Sequence, residues 1–173
     1  GRLSIQKGPD LLLEAIPGVL SVRSDAKVVF VGDGHMRRQL EQRAAQLGIA
    51  YAVRFVGNMA PVSDLINLFK STDLVCVPSR NEPFGIVVLE AWAAGKPVVG
   101  TRSGGPGELI THGQEGYLVQ DNPESIGWGI REVFHNFEHA RWMGQRGRVK
   151  AAFSFSWDQV AAQTEGIYKE ISH

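Results

Sequence analysis

Apolar and polar positions alternate along the chain with two different periods, and the change from one to the other predicts its elements. Leu11, Leu12, Leu13, Ala15, Ile16, Val19 and Leu20 recur at helical spacing between Pro9 and Val22, with Pro9 suited to a first helical turn. Pro17-Gly18 predicts a kink or break in that helix. Lys27-Val-Val-Phe-Val-Gly-Asp-Gly34 is a continuous apolar run ending in glycines, the pattern of a parallel strand buried on both faces. A helix from about Met36 to Leu47 follows, closed by Gly48.

The alternation then repeats, with a strand at 53–57, a helix over about 61–71, a strand at 74–78, a helix starting near Phe84 and a short strand at 97–101. A glycine-rich loop over Ser103 to Glu108 and a helical turn near Leu109 to His112 lead to a last strand at 116–119. From Pro123 onward the pattern is helical, over 123–137, 138–153 and, behind Ser156 as N-cap, 157–171. The order predicts an α/β fold in one domain, 1–173: a Rossmann-like, doubly wound parallel sheet of about six strands with C-terminal helices. Ligands of such sheets bind beyond the carboxyl ends of the strands, where the loops holding Gly34, Asn58, Glu82 and Gly104 fall.

Composition narrows the classes. Eighteen basic residues balance eighteen acidic ones, which argues against a general nucleic-acid or acidic-membrane binder. The single cysteine, Cys76, sits in an apolar run, so intrachain disulfides and cysteine metal clusters are excluded and core filling is expected. His35, His112, His135, His139 and His173 show no metal-ligand spacing. No apolar stretch reaches transmembrane length and no signal segment opens the chain, so a cytoplasmic location is expected. Arg141, Arg146, Arg148 and Lys150 predict a solvated helix face, with acceptor or membrane-surface contact as the sharper alternative. Gly1-Arg-Leu-Ser-Ile-Gln-Lys-Gly begins without a preceding strand or turn, and a further N-terminal portion is expected.

The chemistry concentrates in the middle. Between Phe84 and Ala94 only Gly85 and Glu90 are not apolar, so a helix there is expected to be largely buried, with Glu90 paired, protonated or facing a cleft. Backbone N–H groups of Phe84, Gly85 and Ile86, at a helix start just after a strand, form a natural anion site. Arg2 and Lys7 can add charge-assisted contacts, and together these groups suit a diphosphate. Glu90 is then placed for the vicinal hydroxyls of a ribose, and Glu82, at the helix mouth, for sugar hydroxyls. Val31-Gly-Asp-Gly-His-Met-Arg37 lacks the third glycine of a dinucleotide fingerprint and reads as a strand-end turn.

A set of motifs carries a resemblance. Gly-Arg-Leu with Lys7-Gly, Val31-Gly-Asp-Gly, Phe55-Val-Gly, Asp73-Leu-Val-Cys-Val-Pro-Ser79, Glu82-Pro-Phe-Gly with seven residues between its glutamates, Ala94-Gly-Lys-Pro-Val-Val, Gly104-Gly-Pro-Gly-Glu108 and Gly113-Gln-Glu-Gly-Tyr-Leu-Val cover positions 1 to about 119, and Phe155-Ser-Trp157 follows. The set resembles the C-terminal, donor-binding domain of retaining glycosyltransferases of the glycogen-synthase-like family, one half of a GT-B fold.

That resemblance implies catalytic roles for Glu82, Arg2 and Lys7, with the two cations on the donor diphosphate and Glu82 on the transferred sugar. It implies ribose binding by Glu90, sugar and phosphate contacts by Phe84, Gly85 and Ile86, and a base site beside Gly57, Asn58 and Met59. It further implies no metal and no cofactor. The donor would be a UDP-, GDP- or ADP-sugar, and the acceptor a sugar, lipid or small molecule. An N-terminal domain would hold that acceptor, leaving this chain alone inactive. A non-catalytic nucleotide-binding module and a GT-B-like epimerase are the rival readings; no lysine motif for a pyridoxal cofactor favours a phosphorylase.

Overall fold

The computed structural model describes residues 1–171, so His173 lies outside the described residues. Five strands alternate with helices: β1 (Val28–Val31), β2 (Val53–Gly57), β3 (Val75–Val77), β4 (Val98–Thr101) and β5 (Gly116–Val119). The helices are α1 (Pro9–Leu20), α2 (Arg37–Gln46), α3 (Val62–Ser71), α4 (Ile86–Ala93), α5 (Gly105–Leu109), α6 (Pro123–His135), α7 (Phe137–Ser154) and α8 (Trp157–Ile171), with a 3-10 turn at Ile5–Lys7 before them.

All strand pairings are parallel, as expected, but the sheet of about six strands is corrected to five strands in two groups, β1-β2 and β3-β4-β5. Residues 1–8 lie against the loops that follow β1 and β3. The amino group of Gly1 donates to Val31 O at 2.5 Å and Leu3 N–H to Asp33 O at 2.9 Å, while Arg80 N–H donates to Gln6 O at 2.8 Å. The last carbonyl of β1 and backbone groups in the loops after β1 and β3 are thus satisfied by this segment.

The second sheet is covered on both faces. Val99, Val119 and Cys76 face the core built by α1, α2 and α6 around Leu13, Ile16, Leu40 and Ile126. Their neighbours Val98, Leu118 and Val77 face a second core with Val88 and Trp92 of α4. This period-two partition is what a doubly wound sheet requires. Cys76 fills the core as expected, and burial pushes its thiol up to about 12. The first sheet is covered less: Phe30 is buried and stacks on Phe55 at 4.9 Å, but Val29 is exposed, so β1 is not buried on both faces.

Three local expectations also change. α1 runs through Pro17-Gly18 without a break, because Pro17 lies in its last turns, where the missing N–H forfeits one bond and Ser21 N–H closes the end on Pro17 O. The glycine-rich loop is helical from Gly105, with Pro106 inside the first turn. Lys150 leaves the predicted solvated face of α7 and donates to Leu109 O at 2.6 Å, 3.4 Å from Glu115. Arg141, Arg146 and Arg148 stay exposed. Among the described residues no helix is long and apolar enough to cross a membrane.

Candidate functional site

The loops after β1, β2 and β3, the start of α4 and the segment 1–8 meet at the carboxyl ends of the strands. Gly32 and Gly34 explain how segment 1–8 gets there. A Cβ on Gly32 would lie 1.9 Å from Gly1 O and one on Gly34 2.3 Å from Leu3 O, so the Val31-Gly-Asp-Gly turn is a slot for residues 1–3. Arg2, carried by those residues, is exposed.

The 3-10 turn then delivers Lys7. Its Nζ lies 2.5 Å from Glu82 Oε2, a contact between residues 75 apart in sequence, and Ser79 Oγ donates to the same oxygen at 3.3 Å. Glu82 is 9% exposed, and its backbone is pinned on the far side, where Gly105 N–H donates to Glu82 O at 2.7 Å. Gly104 and Gly105 permit that approach: a Cβ on Gly104 would sit 2.2 Å from Glu82 O, and one on Gly105 1.8 Å from Phe84 O. A buried carboxylate with one ammonium and one hydroxyl on one oxygen is paired as its burial demands.

Gly85 is the N-cap of α4, with φ +94° and no side-chain cap. Only glycine takes that conformation freely, and the helix start it makes has no capping side chain between its first N–H groups and a ligand. Phe84 and Ile86 flank it and are exposed. These first N–H groups and the positive end of the helix dipole can hold an anion beside Lys7.

The burial of α4 corrects an expectation. Buried surroundings were expected from the apolar run, yet α4 buries only Val88, Ala91 and Trp92, and Glu90 is exposed, with no Lys or Arg ion pair among the described residues. The apolar count cannot register that Ile86, Glu90 and Ala93 of α4 are left exposed. Burial against its neighbours still raises the Glu90 carboxyl above the ordinary range.

Gly57 ends β2, and Asn58 and Met59 follow it. Gly57 O accepts from Gly32 N–H at 2.7 Å, which ties this loop to the end of β1. Among the described residues no hydrogen bond or ion pair joins these three to Lys7, Glu82 or Glu90. Sequence reasoning assigned no role to Ser79, Asp10 or Arg80. The available signal was position: Ser79, Arg80 and Asn81 are the polar residues between the end of β3 and Glu82.

The family model described as glycosyl transferases group 1 matches residues 1–150. The uncharacterized glycosyltransferase MJ1607 of Methanocaldococcus jannaschii is 41% identical over 170 residues, covering 98% of this chain and 43% of the relative. The crystal structure of HepE from Anabaena in complex with UDP superposes with a TM-score of 0.86 at 28% identity, over 99% of this chain and 47% of that one. The crystal structure of the C-terminal domain of a group 1 glycosyl transferase family protein, LpcC from Francisella tularensis, shares the fold at a TM-score of 0.84 and 24% identity, over 91% of this chain and 84% of that one. This chain thus spans less than half the length of MJ1607 and of HepE. The chain belongs to the glycosyl transferases of group 1 and has the fold of their C-terminal GT-B domains.

Proposed function

We propose that this chain is the donor-binding half of a retaining glycosyltransferase and that it takes a nucleoside diphosphate sugar, with UDP-sugars the first candidates because HepE was crystallised with UDP. The observation that carries the reading is the Lys7–Glu82 contact at the uncapped mouth of α4. Lys7 has three N–H donors and gives one to Glu82, so it can reach a phosphate oxygen with another, beside the N–H groups after Gly85. Arg2 adds a second cation on the same segment. Glu82 Oε1, which takes neither the Lys7 nor the Ser79 bond, accepts a sugar hydroxyl. Glu90 accepts the ribose hydroxyls, and the base lies toward Gly57, Asn58 and Met59.

In the transfer, the bond from C1 of the sugar to the distal phosphate breaks and its electron pair stays on that phosphate. Arg2, Lys7 and the helix-end N–H groups stabilise the charge, the work expected of preorganised donors, so the reading assigns no metal. The acceptor oxygen bonds to C1 on the face the phosphate leaves, and its proton passes to the departing diphosphate. Glu82 orients the sugar and does not attack it. We assign the acceptor site to an N-terminal domain, since the relatives are more than twice as long, and expect this chain alone to bind donor without transferring sugar.

Calorimetric titration of the chain with UDP, GDP and ADP tests the reading. At least one is expected to bind with a dissociation constant of about 1 mM or tighter. Glu90→Gln is expected to weaken that binding about tenfold, the scale of one hydrogen bond to a charged group, while leaving the unfolding midpoint nearly unchanged. No binding of any of the three would reject the site, and a large drop in the midpoint would make Glu90 a structural residue.

A further inference from the structure

Hydrophobic packing does not place Lys7. None of the three residues of its 3-10 turn is buried, so the turn needs another means of holding its ammonium against Glu82. The means on view is Arg80. Its guanidinium forks onto Asp10 at the start of α1, Nη1 to Oδ1 at 2.9 Å and Nη2 to Oδ2 at 2.6 Å. Nη1 also donates to Ile5 O at 2.7 Å, and Arg80 N–H to Gln6 O at 2.8 Å. Ser103 Oγ donates to Arg80 O. One residue therefore grips the turn just before Lys7, the helix just after it and the loop leading to Gly104, two positions before Glu82.

A bidentate arginine–carboxylate pair fixes orientation as well as distance, which a lysine in the same place does not. Asp10 and Arg80 are each about one-third exposed, at 30% and 31% of their side chains. Burial alone would raise the Asp10 carboxyl, but the Arg80 bond and charge hold it below the ordinary range, which agrees with the observed fork. Gly8 completes the join: a Cβ there would meet Pro78 O at 2.0 Å, so the two backbones touch directly behind the fork.

We propose that Asp10 and Arg80 are positioning residues, a fork that touches no donor atom and sets Lys7 against Glu82 so that the donor diphosphate finds both. This rests on the donor-site reading above. The test compares the wild-type chain with Asp10→Asn and with the milder Arg80→Lys, by amide hydrogen exchange and by UDP titration. Both variants are expected to speed exchange at the N–H groups of Lys7 and Gly8 about tenfold or more, to leave Leu40 and Ala44 of α2 protected, and to weaken UDP binding about tenfold. Unchanged exchange at Lys7 and Gly8 would overturn the proposal, as would faster exchange there with full UDP affinity. If the wild-type chain binds no UDP but exchange at Lys7 and Gly8 still rises in both variants, the fork stands as the device that holds Lys7 and the donor-site reading falls.

Discussion

Trp92→Ala is expected to lower the stability of the chain by about 3–5 kcal/mol, the range for deleting a fully buried large aromatic side chain. Trp92 is 0% exposed and lies in the core between the second sheet and α7. Three of its contacts fail together. Its Nε1 donates to Glu115 O at 3.0 Å, and that carbonyl would lose its donor. Lys150 sits 5.5 Å from the centre of its ring, and Gly147 has no side chain because a Cβ there would lie 2.3 Å from Trp92 Cδ1. Urea unfolding should show a lower midpoint with an unchanged slope, and the melting temperature should fall by roughly 2–4 °C per kcal/mol in a chain of this size. Trp92→Phe separates the two causes, because it keeps most of the ring volume and loses only the N–H. A loss below about 1 kcal/mol for Trp92→Ala would mean that the cavity collapses or that the indole is not at the centre of this core.

Lys7→Met is expected to weaken nucleoside diphosphate binding about ten- to a hundredfold, the scale of one charge-assisted hydrogen bond. The substitution removes the cation 2.5 Å from Glu82 and leaves that buried carboxylate with the Ser79 hydroxyl alone. Stability should fall too, since an uncompensated buried charge is costly. The double variant Lys7→Met with Glu82→Gln distinguishes the two effects. Neutralising both partners should recover much of the unfolding midpoint, because no charge is left stranded, whereas nucleotide affinity should stay low, because the phosphate has lost its ammonium. Recovery of affinity along with stability would show that Lys7 serves only to neutralise Glu82.

The architecture was legible where a local period decides the matter. The runs that became β1 to β5 and the helical stripes of α1, α2, α6 and α7 all lie within a few residues of their expected ranges, because each is written in consecutive positions. The mouth of α4 was legible for the same reason: Glu82, Gly85 and Ile86 are neighbours in sequence. What joins distant stretches was not. The Lys7–Glu82 pair spans 75 positions and the Asp10–Arg80 fork 70, and no local pattern encodes either. Nor does periodicity say where a sheet divides or what residues 1–8 lie against: Gly1 and Leu3 donate to Val31 O and Asp33 O, and Arg80 N–H donates to Gln6 O. The burial of α4 was overestimated because an apolar run around a helix was taken for a core on nearly every side, when Phe84 and Ile86 are exposed and only Val88, Ala91 and Trp92 of the helix are buried.

In the proposed donor complex a nucleoside diphosphate sits at the mouth of α4, between Lys7 and the N–H groups following Gly85. Amide chemical shifts followed while UDP is added to the isotope-labelled chain test it most directly. The largest shifts are expected at Gly85, Ile86 and Val87, at Lys7, and at Gly104 and Gly105 behind Glu82, with α2 and α6 unmoved. Saturable binding that leaves Gly85, Ile86 and Lys7 unshifted and moves residues elsewhere would contradict it.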